Sequence, residues 1–312
     1  MIIAVASGKG GTGKTTVATS LALSIAANGP GVVAPRTSGE SLANTPIECG
    51  GGLLFLDCDV EEPNAALFLK PVLGEREDVG IMIPQVDYSL CTFCGRCAEV
   101  CVWHAIAVVG QKVLIFPELC HGCGSCTLNC PEGAIHEVLH VIGTLESGCA
   151  GPIGFAHGTL KVGEPMSVPI ISQLKKKHLT EDDGRTVILD ASPGTSCPVV
   201  ETMRGADFVL LVTEPTPFGL HDLRLAVQVA RDELGLPVGV VVNREGVGDT
   251  GVDEYCAAES IPILMRIPLD RRIAVAISSG KALVEALPEM RSQFVTLYEK
   301  IQREVASRKE AQ

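Results

Sequence analysis

Short apolar runs alternate with longer stretches of helical spacing along most of the 312-residue chain. Runs that are apolar at almost every position are typical of strands whose two faces are both covered by helices. Strands that alternate with helices in this way predict a parallel sheet. We therefore expect an α/β fold, a doubly wound parallel sheet. The runs that predict its strands cover residues 2–6, 53–56, 187–190, 208–213 and 238–242.

Two segments depart from this alternation. Residues 30–51 are rich in Gly, Pro, Ser and Thr and predict a loop, to which we assign no function. Residues 87–140 hold eight of the thirteen cysteines and predict a small inserted domain. The expected division is therefore a main domain of residues 1–86 and 141–312 with an insert of residues 87–140.

The last predicted helix, from residue 288 onward, has an apolar face and a mixed polar face. The apolar face carries Phe294, Leu297, Ile301 and Val305. The opposite face interleaves Glu with Lys and Arg, whereas a helix that lies on a membrane is usually cationic there. We expect this helix to pack on the protein's own core.

Composition and charge narrow the classes of partner. A net charge of −12 argues against nucleic-acid binding, because that affinity rests on Lys and Arg that neutralise phosphates. No apolar run reaches the length of a membrane span, and the chain enters its first strand without a signal-peptide pattern. We expect a cytoplasmic protein without stable membrane insertion. Thiols are expected to stay reduced there, so the cysteines indicate metal ligation.

A glycine-rich loop joins the first predicted strand to the first predicted helix. It fits the motif G-x-x-x-x-G-K-[ST], whose backbone N–H groups surround a polyphosphate at a helix N-terminus. In this motif Lys14 reaches the β- and γ-phosphates and Thr15 reaches a Mg²⁺ ion. The sequence therefore predicts binding of ATP and ADP. The predicted binding residues are Gly8, Lys9, Gly10, Gly11, Thr12, Gly13, Lys14, Thr15 and Thr16.

The eight cysteines form two runs of C-x₂-C-x₂-C-x₃-C that are displaced by 29 residues. This spacing resembles that of bacterial two-cluster ferredoxins, where the fourth cysteine of each run crosses to the other [4Fe–4S] cluster. C-x₂-C pairs also suit zinc, but the repetition with the crossed cysteine favours two clusters. The resemblance implies one cluster on Cys91, Cys94, Cys97 and Cys130, and a second on Cys101, Cys120, Cys123 and Cys126.

The second lysine of the glycine-rich loop, Lys9, gives the variant K-G-G-x-G-K-[ST]. This variant resembles the deviant Walker A motif of the MinD/ParA and nitrogenase iron-protein class of P-loop ATPases. In that class the extra lysine contacts nucleotide across a dimer interface, as an arginine finger does elsewhere. The resemblance implies a homodimer, or a heterodimer with a paralogous ATPase, in which Lys9 and Lys14 are both catalytic.

Polar residues at the ends of other predicted strands extend this resemblance, at the edge where open α/β sheets bind ligands. Asp57 and Asp59 resemble the first switch of the class, in which Asp59 orients the attacking water and Asp57 supports the Mg²⁺ site. Asp190 resembles the Walker B residue that binds Mg²⁺ through water, and Gly194 would let the backbone approach the γ-phosphate. The residues that resemble the adenine-contacting strand end and the loop over the base are Asn243, Arg244 and Pro268.

Nearly the whole chain, apart from residues 30–51, resembles MinD-superfamily P-loop ATPases with an inserted ferredoxin domain. The resemblance implies that the insert is a small α+β, ferredoxin-like domain. The leading interpretation is a dimeric ATPase that gates electron transfer from its clusters to a redox partner protein. One alternative is a carrier or assembly scaffold for iron–sulfur clusters, of the Mrp type. A second alternative is a MinD/ParA-like positioning ATPase whose clusters sense redox state.

Cys197 raises the question of a third cluster, because the nitrogenase iron protein places a ligand of its intersubunit cluster at this point. Such a site needs a second cysteine from each chain, for which Cys149 is the candidate. The alternative, which we favour, is a buried free thiol at Cys197.

Overall fold

The computed structural model describes residues 1–28, 49–50, 52–179 and 184–311. Most of the loop predicted at residues 30–51 lies outside the described residues. The strands are β1 (Ile2–Ala6), β2 (Leu53–Asp57), β3 (Val72–Val86), β4 (Ile106–Val109), β5 (Lys112–Ile115), β6 (Ile135–Ala150), β7 (Ile153–Leu160), β8 (Thr186–Asp190), β9 (Phe208–Thr213), β10 (Val238–Glu245) and β11 (Ile263–Pro268).

Helices alternate with most of these strands. They are α1 (Lys14–Asn28), α2 (Ala65–Leu69), α3 (Arg96–Glu99), α4 (Ser125–Leu128), α5 (Val168–His178), α6 (Cys197–Met203), α7 (Pro217–Val227), α8 (Gly251–Ala258), α9 (Arg271–Ser278), α10 (Leu283–Ala286) and α11 (Arg291–Ala311). A π-helical turn, Gln228–Glu233, extends α7, and 3₁₀ turns lie at Pro117–Leu119 and Pro288–Met290.

The main domain is built on one sheet of nine strands, in the order β11-β10-β9-β1-β8-β2-β7-β6-β3. Neighbours pair in parallel except at β6, which is antiparallel to both β7 and β3. The α/β prediction is confirmed. Five of the sheet's nine strands were predicted, whereas β3, β6, β7 and β11 were not. In β7, Gly154, His157 and Gly158 interrupt the apolar pattern.

Alternate residues of the central strands pack into two apolar layers, one on each face of the sheet. Ala4 and Leu56 face a layer that includes α5, α6 and α7. Ile3 and Phe55 face a layer that includes α1, α9, α10 and α11. Both faces are thus covered, which explains why these strands are apolar at nearly every position.

The C-terminal helix α11 lies against α1 on the second face, as predicted. Phe294, Leu297 and Ile301 are fully buried there and Val305 is nearly so. Among the helices within the described ranges, none is long and apolar enough to cross a membrane.

Strands β3 and β6 continue beyond the rest of the sheet as a two-stranded ribbon. β7 ends at Leu160, opposite Gly143, but β3 and β6 stay paired from Gly80 with Val141 to Val86 with Ile135. Those seven pairs carry the ribbon roughly 20 Å further, at about 3.4 Å per residue. The ribbon leaves at the carboxyl edge of the parallel strands, and the cysteine-rich unit, with its hairpin β4–β5, lies at its end.

Cys49 and Cys149 form a disulfide, with Cα atoms 5.6 Å apart, which corrects the expectation that every thiol is reduced. Cys149 pairs with Gly154 near the start of β7, at the amino edge of the parallel strands. Cys197 begins α6 beyond the carboxyl end of β8, and it is exposed rather than buried. Cys149 is therefore already bonded and lies at the opposite edge from Cys197, which removes it as the partner for a third cluster.

Candidate nucleotide site and cysteine cavities

The phosphate loop, residues 8–16, connects β1 to α1 at the carboxyl edge of the sheet. Its turns fall at Gly11 and Gly13, where φ is 78° and 91°, a left-handed conformation that glycine adopts without strain. A side chain at Gly8 would collide with the backbone of Asp222 in α7, and one at Gly13 with the amide of Asn243. Glycine at positions 8 and 13 thus allows α7 and β10 to pack directly against the loop.

Lys14 is buried, and its Nζ lies 2.5 Å from Oδ1 of Asp190, the last residue of β8. The second oxygen of Asp190, Oδ2, is buried without a hydrogen-bond partner. A buried carboxylate oxygen without a partner is costly unless a ligand satisfies it. Asp190, which was predicted to bind Mg²⁺, therefore has a free carboxylate oxygen that could accept a cation or a water bound to it. Thr15 Oγ1 lies 3.4 Å from the same Nζ.

Asp57 and Asp59 stand beside this pair, at and just beyond the end of β2. Asp57 is fully buried and accepts hydrogen bonds from the backbone N–H groups of Asp59 and Ala65, at 3.1 and 3.0 Å. Burial and then the nearby Asp190 carboxylate raise the pKa of Asp57 to about 8. Burial also raises the pKa of Asp59. A cation at this site would favour the ionised form of these carboxyls.

An open cavity of about 550 Å³ lies over the phosphate loop. Asp59 lines it, whereas Asp57 and Asp190 lie behind Lys14 and do not. Gly8 and Gly194 do not line it either, although the N–H of Gly194 donates to the carbonyl of Ser7 at 2.9 Å. The remaining predicted residues along its wall are Lys9, Gly10, Gly11, Thr12, Gly13, Lys14, Thr15, Thr16, Asn243, Arg244 and Pro268.

The residues predicted at the adenine contact are held against the phosphate loop. Asn243 Nδ2 donates to the carbonyl of Thr12 at 2.6 Å, and Arg244 Nη2 donates to the carbonyl of Gly11 at 3.3 Å. Pro268 ends the neighbouring strand β11. The structure therefore brings this group to one wall of the cavity.

The crossed cysteine sets line two separate cavities of the insert. Among the described residues, no three His, Cys, Asp or Glu side chains converge closely enough to hold a single metal ion. The first cavity is lined by Cys91, Cys94, Cys97 and Cys130, and the second by Cys101, Cys120, Cys123 and Cys126.

The chemistry of both cavities fits an iron–sulfur cluster. Each set offers four thiols, and backbone N–H groups donate to several of them, including Ala105 to Cys101 Sγ and Ala134 to Cys130 Sγ, both at 3.3 Å. Such hydrogen bonds to sulfur help to set the reduction potential of a cluster. Burial raises the pKa of the Cys97 and Cys126 thiols, but coordination to iron holds such thiols deprotonated.

Comparison with known proteins bears on both sites. A family model described as a 4Fe-4S dicluster domain matches residues 83–131. The uncharacterized protein MJ0579 of Methanocaldococcus jannaschii is 30% identical over 298 residues, which cover 91% of this chain and 92% of that protein. The cell division ATPase MinD of Pyrococcus furiosus has the same fold, with a TM-score of 0.54 and 20% identity over 97% of this chain and 98% of that chain.

The chain belongs to the MinD/ParA-type ATPases that carry a ferredoxin-like insert. A more distant relative is the Nubp1 homolog of Drosophila sechellia, named a cytosolic Fe-S cluster assembly factor. It is 27% identical over 185 residues, which cover 49% of this chain and 60% of that protein.

Glu214 is a residue of this MinD/ParA-type site that sequence reasoning missed. It directly follows β9, which lies between β1 and β10 in the sheet. Its carboxylate pairs with Arg244 Nη1 at 2.6 Å and with Lys9 Nζ at 3.5 Å. The signal was available, because Glu214 is the first charged residue after an apolar strand, as Asp57 and Asp190 are at the ends of theirs.

A row of ionisable side chains crosses the sheet from the nucleotide site to β6 and β3, the strands that continue into the ribbon. The strand register places Asp190, Asp57, His157, Glu146 and Arg76 side by side on five neighbouring strands. His157 Nε2 lies 3.2 Å from Glu146 Oε2, and Arg76 Nη1 lies 3.8 Å from Glu146 Oε1. The row ends on β6 and β3, the strands that carry the ferredoxin insert.

The two cavities of the ferredoxin insert differ in their position along the ribbon and in the side chains that cover them. Met82, Pro84 and Glu137, in the middle of the ribbon, line the second cavity, whereas Val86 and Ile135, at its end, line the first. We call them the proximal and the distal cavity respectively.

An aromatic pair lies over the proximal cavity. Trp103 stacks on His121 with ring centroids 3.6 Å apart, and both line that cavity. The equivalents 29 residues away are Glu132 and Thr92, which line the distal cavity. The internal repeat therefore gives two chemically different surroundings.

Proposed function

We propose that this protein is a Mg²⁺-dependent ATPase that works as a dimer and uses ATP binding to gate electron transfer through two [4Fe–4S] clusters. The observation that carries the proposal is the row of ionisable side chains that the strand register forms from Asp190 and Asp57 to Glu146 on β6, a strand that continues into the ribbon. The expected surroundings are cytoplasmic, and the expected partner is a redox protein.

The residues of the nucleotide site would divide the work of ATP hydrolysis. Lys14 would leave Asp190 for the phosphates, which frees a buried carboxylate to hold Mg²⁺ through water. Thr15 and Asp57 would complete the surroundings of that cation. Asp59, which lines the cavity, would orient the attacking water. Lys9 would supply positive charge to the nucleotide of the second chain.

Cysteines of the two quartets would hold the clusters, the proximal one on Cys101, Cys120, Cys123 and Cys126. A [4Fe–4S] cluster supplies one-electron chemistry. The insert does not hang on a flexible linker, because its two connections are paired strands of the main sheet. We keep residues 87–140 as the proposed insert, although β6 runs across the second boundary.

The ribbon gives nucleotide binding a mechanical route to the clusters. A change of charge at Asp57 or Asp190 would act on His157 and Glu146, the next residues of the row. Any ligand that binds two conformations unequally shifts their populations, and the clusters would act in return on nucleotide affinity.

Cluster potentials in three nucleotide states test this proposal. The anaerobically purified protein is titrated with mediators without nucleotide, with ADP and with a nonhydrolysable ATP analogue. We expect the potential of the proximal cluster, or its rate of electron transfer to an artificial acceptor, to differ between the states. Identical potentials and identical rates in all three states would contradict gating.

A matched pair of variants links the effect to the row. Glu146→Gln removes the carboxylate that contacts His157, so the nucleotide-dependent difference should shrink. Glu164→Gln removes a different carboxylate, which pairs with His140 of the ribbon at 3.1 Å. It lies outside the row and should leave the difference unchanged. Equal effects of the two variants would exclude the row as the route.

A second candidate function is that of a carrier or assembly scaffold for iron–sulfur clusters, since the Nubp1 relative is named a cluster assembly factor. One observation favours it, because each quartet has one exposed cysteine, Cys94 in the distal set and Cys123 in the proximal set. Loss of clusters to an apo-ferredoxin, measured by absorbance and faster with ATP, would support delivery. Reversible redox cycling without cluster loss would support electron transfer.

A positioning ATPase with redox-sensing clusters remains a further alternative, which rests on the fold shared with MinD. Recruitment to DNA or to lipid vesicles in the presence of ATP would favour it. The net charge of −12 makes either surface electrostatically unfavourable.

A further inference from the structure

We propose that Glu214 is a positioning residue that holds Lys9 within its own chain and releases it to the nucleotide of a second copy. This inference rests on the proposed role of Lys9 across the dimer. In addition, it gives Glu214 the role of opposing dimerisation until ATP is bound.

The geometry places Glu214 between the two elements that it joins. Its strand, β9, lies next to β1, which leads into the phosphate loop, and next to β10, which ends at Arg244. The Glu214 side chain is 11% exposed, and each of its oxygens faces a different cation. Oε2 faces Lys9 and Oε1 accepts a hydrogen bond from Arg244.

The two ion pairs are unequal, and this inequality makes Lys9 the partner that leaves. Arg244 lies at 2.6 Å and is also anchored to the carbonyl of Gly11, whereas Lys9 lies at 3.5 Å with a side chain that is 32% exposed. When Lys9 departs, Arg244 still neutralises the Glu214 carboxylate. Release therefore does not leave a buried charge unpaired, which is the costly outcome for such groups.

Glu214 and the phosphates of the facing chain would compete for the single ammonium of Lys9. Because Lys9 must extend out of its own chain to reach those phosphates, association would give up the Lys9–Glu214 pair in both copies, and the phosphates of bound ATP would supply the replacement contact. Without those phosphates the pair opposes the dimer.

Lys9 and Glu214 variants in sedimentation experiments test this device. The protein, Glu214→Gln, Lys9→Ala and the double variant are compared with Mg²⁺ and a nonhydrolysable ATP analogue. A partly exposed ion pair corresponds to about a two- to fivefold change in an equilibrium constant, and each dimer releases two pairs. We therefore expect Glu214→Gln to associate about 4- to 25-fold more tightly, and to gain nothing when Lys9 is already Ala.

The outcomes separate this inference from the proposed function. If Lys9→Ala dimerises and hydrolyses ATP normally, the role of Lys9 across the dimer is wrong. If Lys9→Ala loses dimerisation but Glu214→Gln associates no more tightly than the unmodified protein, Glu214 does not oppose the release of Lys9.

Amine labelling of the nucleotide-free protein provides a readout that does not depend on dimerisation. Lys9 acylation by a succinimidyl ester, quantified by peptide mass spectrometry, should be faster in Glu214→Gln, because the amine loses its ion pair. Should Glu214→Gln fail to fold, Glu214→Asp keeps the charge beside Arg244 on a shorter side chain and should also free Lys9. An unchanged labelling rate in the folded variant would overturn the proposal.

Discussion

Replacing Lys14 by Met should destabilise the nucleotide-free protein as well as abolish nucleotide binding. Lys14 is 6% exposed and its partner Asp190 is 0% exposed. Removing one member of a buried ion pair costs about 3–5 kcal/mol, because the remaining charge stays buried. With an unfolding entropy of about 2.1 cal/mol/K per residue, this corresponds to a decrease in Tm of about 5–8 °C for a chain of this length.

The decrease should depend on pH, and the pKa of Asp57 gives the sign. That pKa is raised from 3.8 to about 8, so ionised Asp57 costs stability increasingly as the pH rises from the unfolded value towards the folded one. Lys14 opposes this increase, so its removal raises the pKa of Asp57 further. At pH 5.5 the Asp57 carboxyl is protonated whether or not Lys14 is present, so removing Lys14 costs nothing through Asp57 there. We expect a clearly smaller decrease in Tm there than at pH 8.

Far-UV circular dichroism is the suitable measurement, because the single tryptophan, Trp103, lies in the insert and does not report on the main sheet. Lys9→Met is the matched control. Its partly exposed pair is worth at most about 1 kcal/mol, and its Tm should change by about 1–2 °C. Adding Asp190→Asn to Lys14→Met should restore much of the loss. A Lys14→Met variant as stable as the control at both pH values would refute the reasoning.

Three further predictions concern the sites themselves. Asp59→Ala should bind ATP but hydrolyse it poorly and accumulate as a dimer, whereas Lys14→Ala should no longer bind nucleotide. Equal losses of ATP binding by the two variants in a filter assay would contradict these separate roles. Cys130→Ser should remove the distal cluster signal from the EPR spectrum and Cys101→Ser the proximal one, unless the crossed assignment is wrong. Affinity for Mg²⁺-nucleotide, measured by calorimetry, should rise with pH towards about 8 as Asp57 ionises, and Asp57→Asn should abolish that dependence.

Local sequence determined the five central strands of the main sheet and the chemistry along its carboxyl edge. Strands buried on both faces must be apolar throughout, so the runs at β1, β8 and β9 were visible without a structure. The phosphate loop and the cysteine runs were equally visible, because their function requires particular residues at fixed spacing along the chain. The apolar face of α11 was also predictable, because residues three or four positions apart lie on one side of a helix.

The partners of side chains that are distant in sequence were decided only by the tertiary structure. Glu214 meets Lys9 and Arg244 because β9 lies between β1 and β10, an order that no local pattern contains. The disulfide joins Cys49 to Cys149 across 100 residues, against the expectation from compartment alone.

The path from the nucleotide site to the insert also depends on tertiary structure. Asp57, His157 and Glu146 form a row only through the register of β2, β7 and β6, and β7 itself was hidden by its glycines. The ribbon exists because β3 and β6 pair antiparallel beyond the end of β7. A sequence specifies which residues favour a strand, but strand order and register follow from how the buried surfaces of the whole chain fit together.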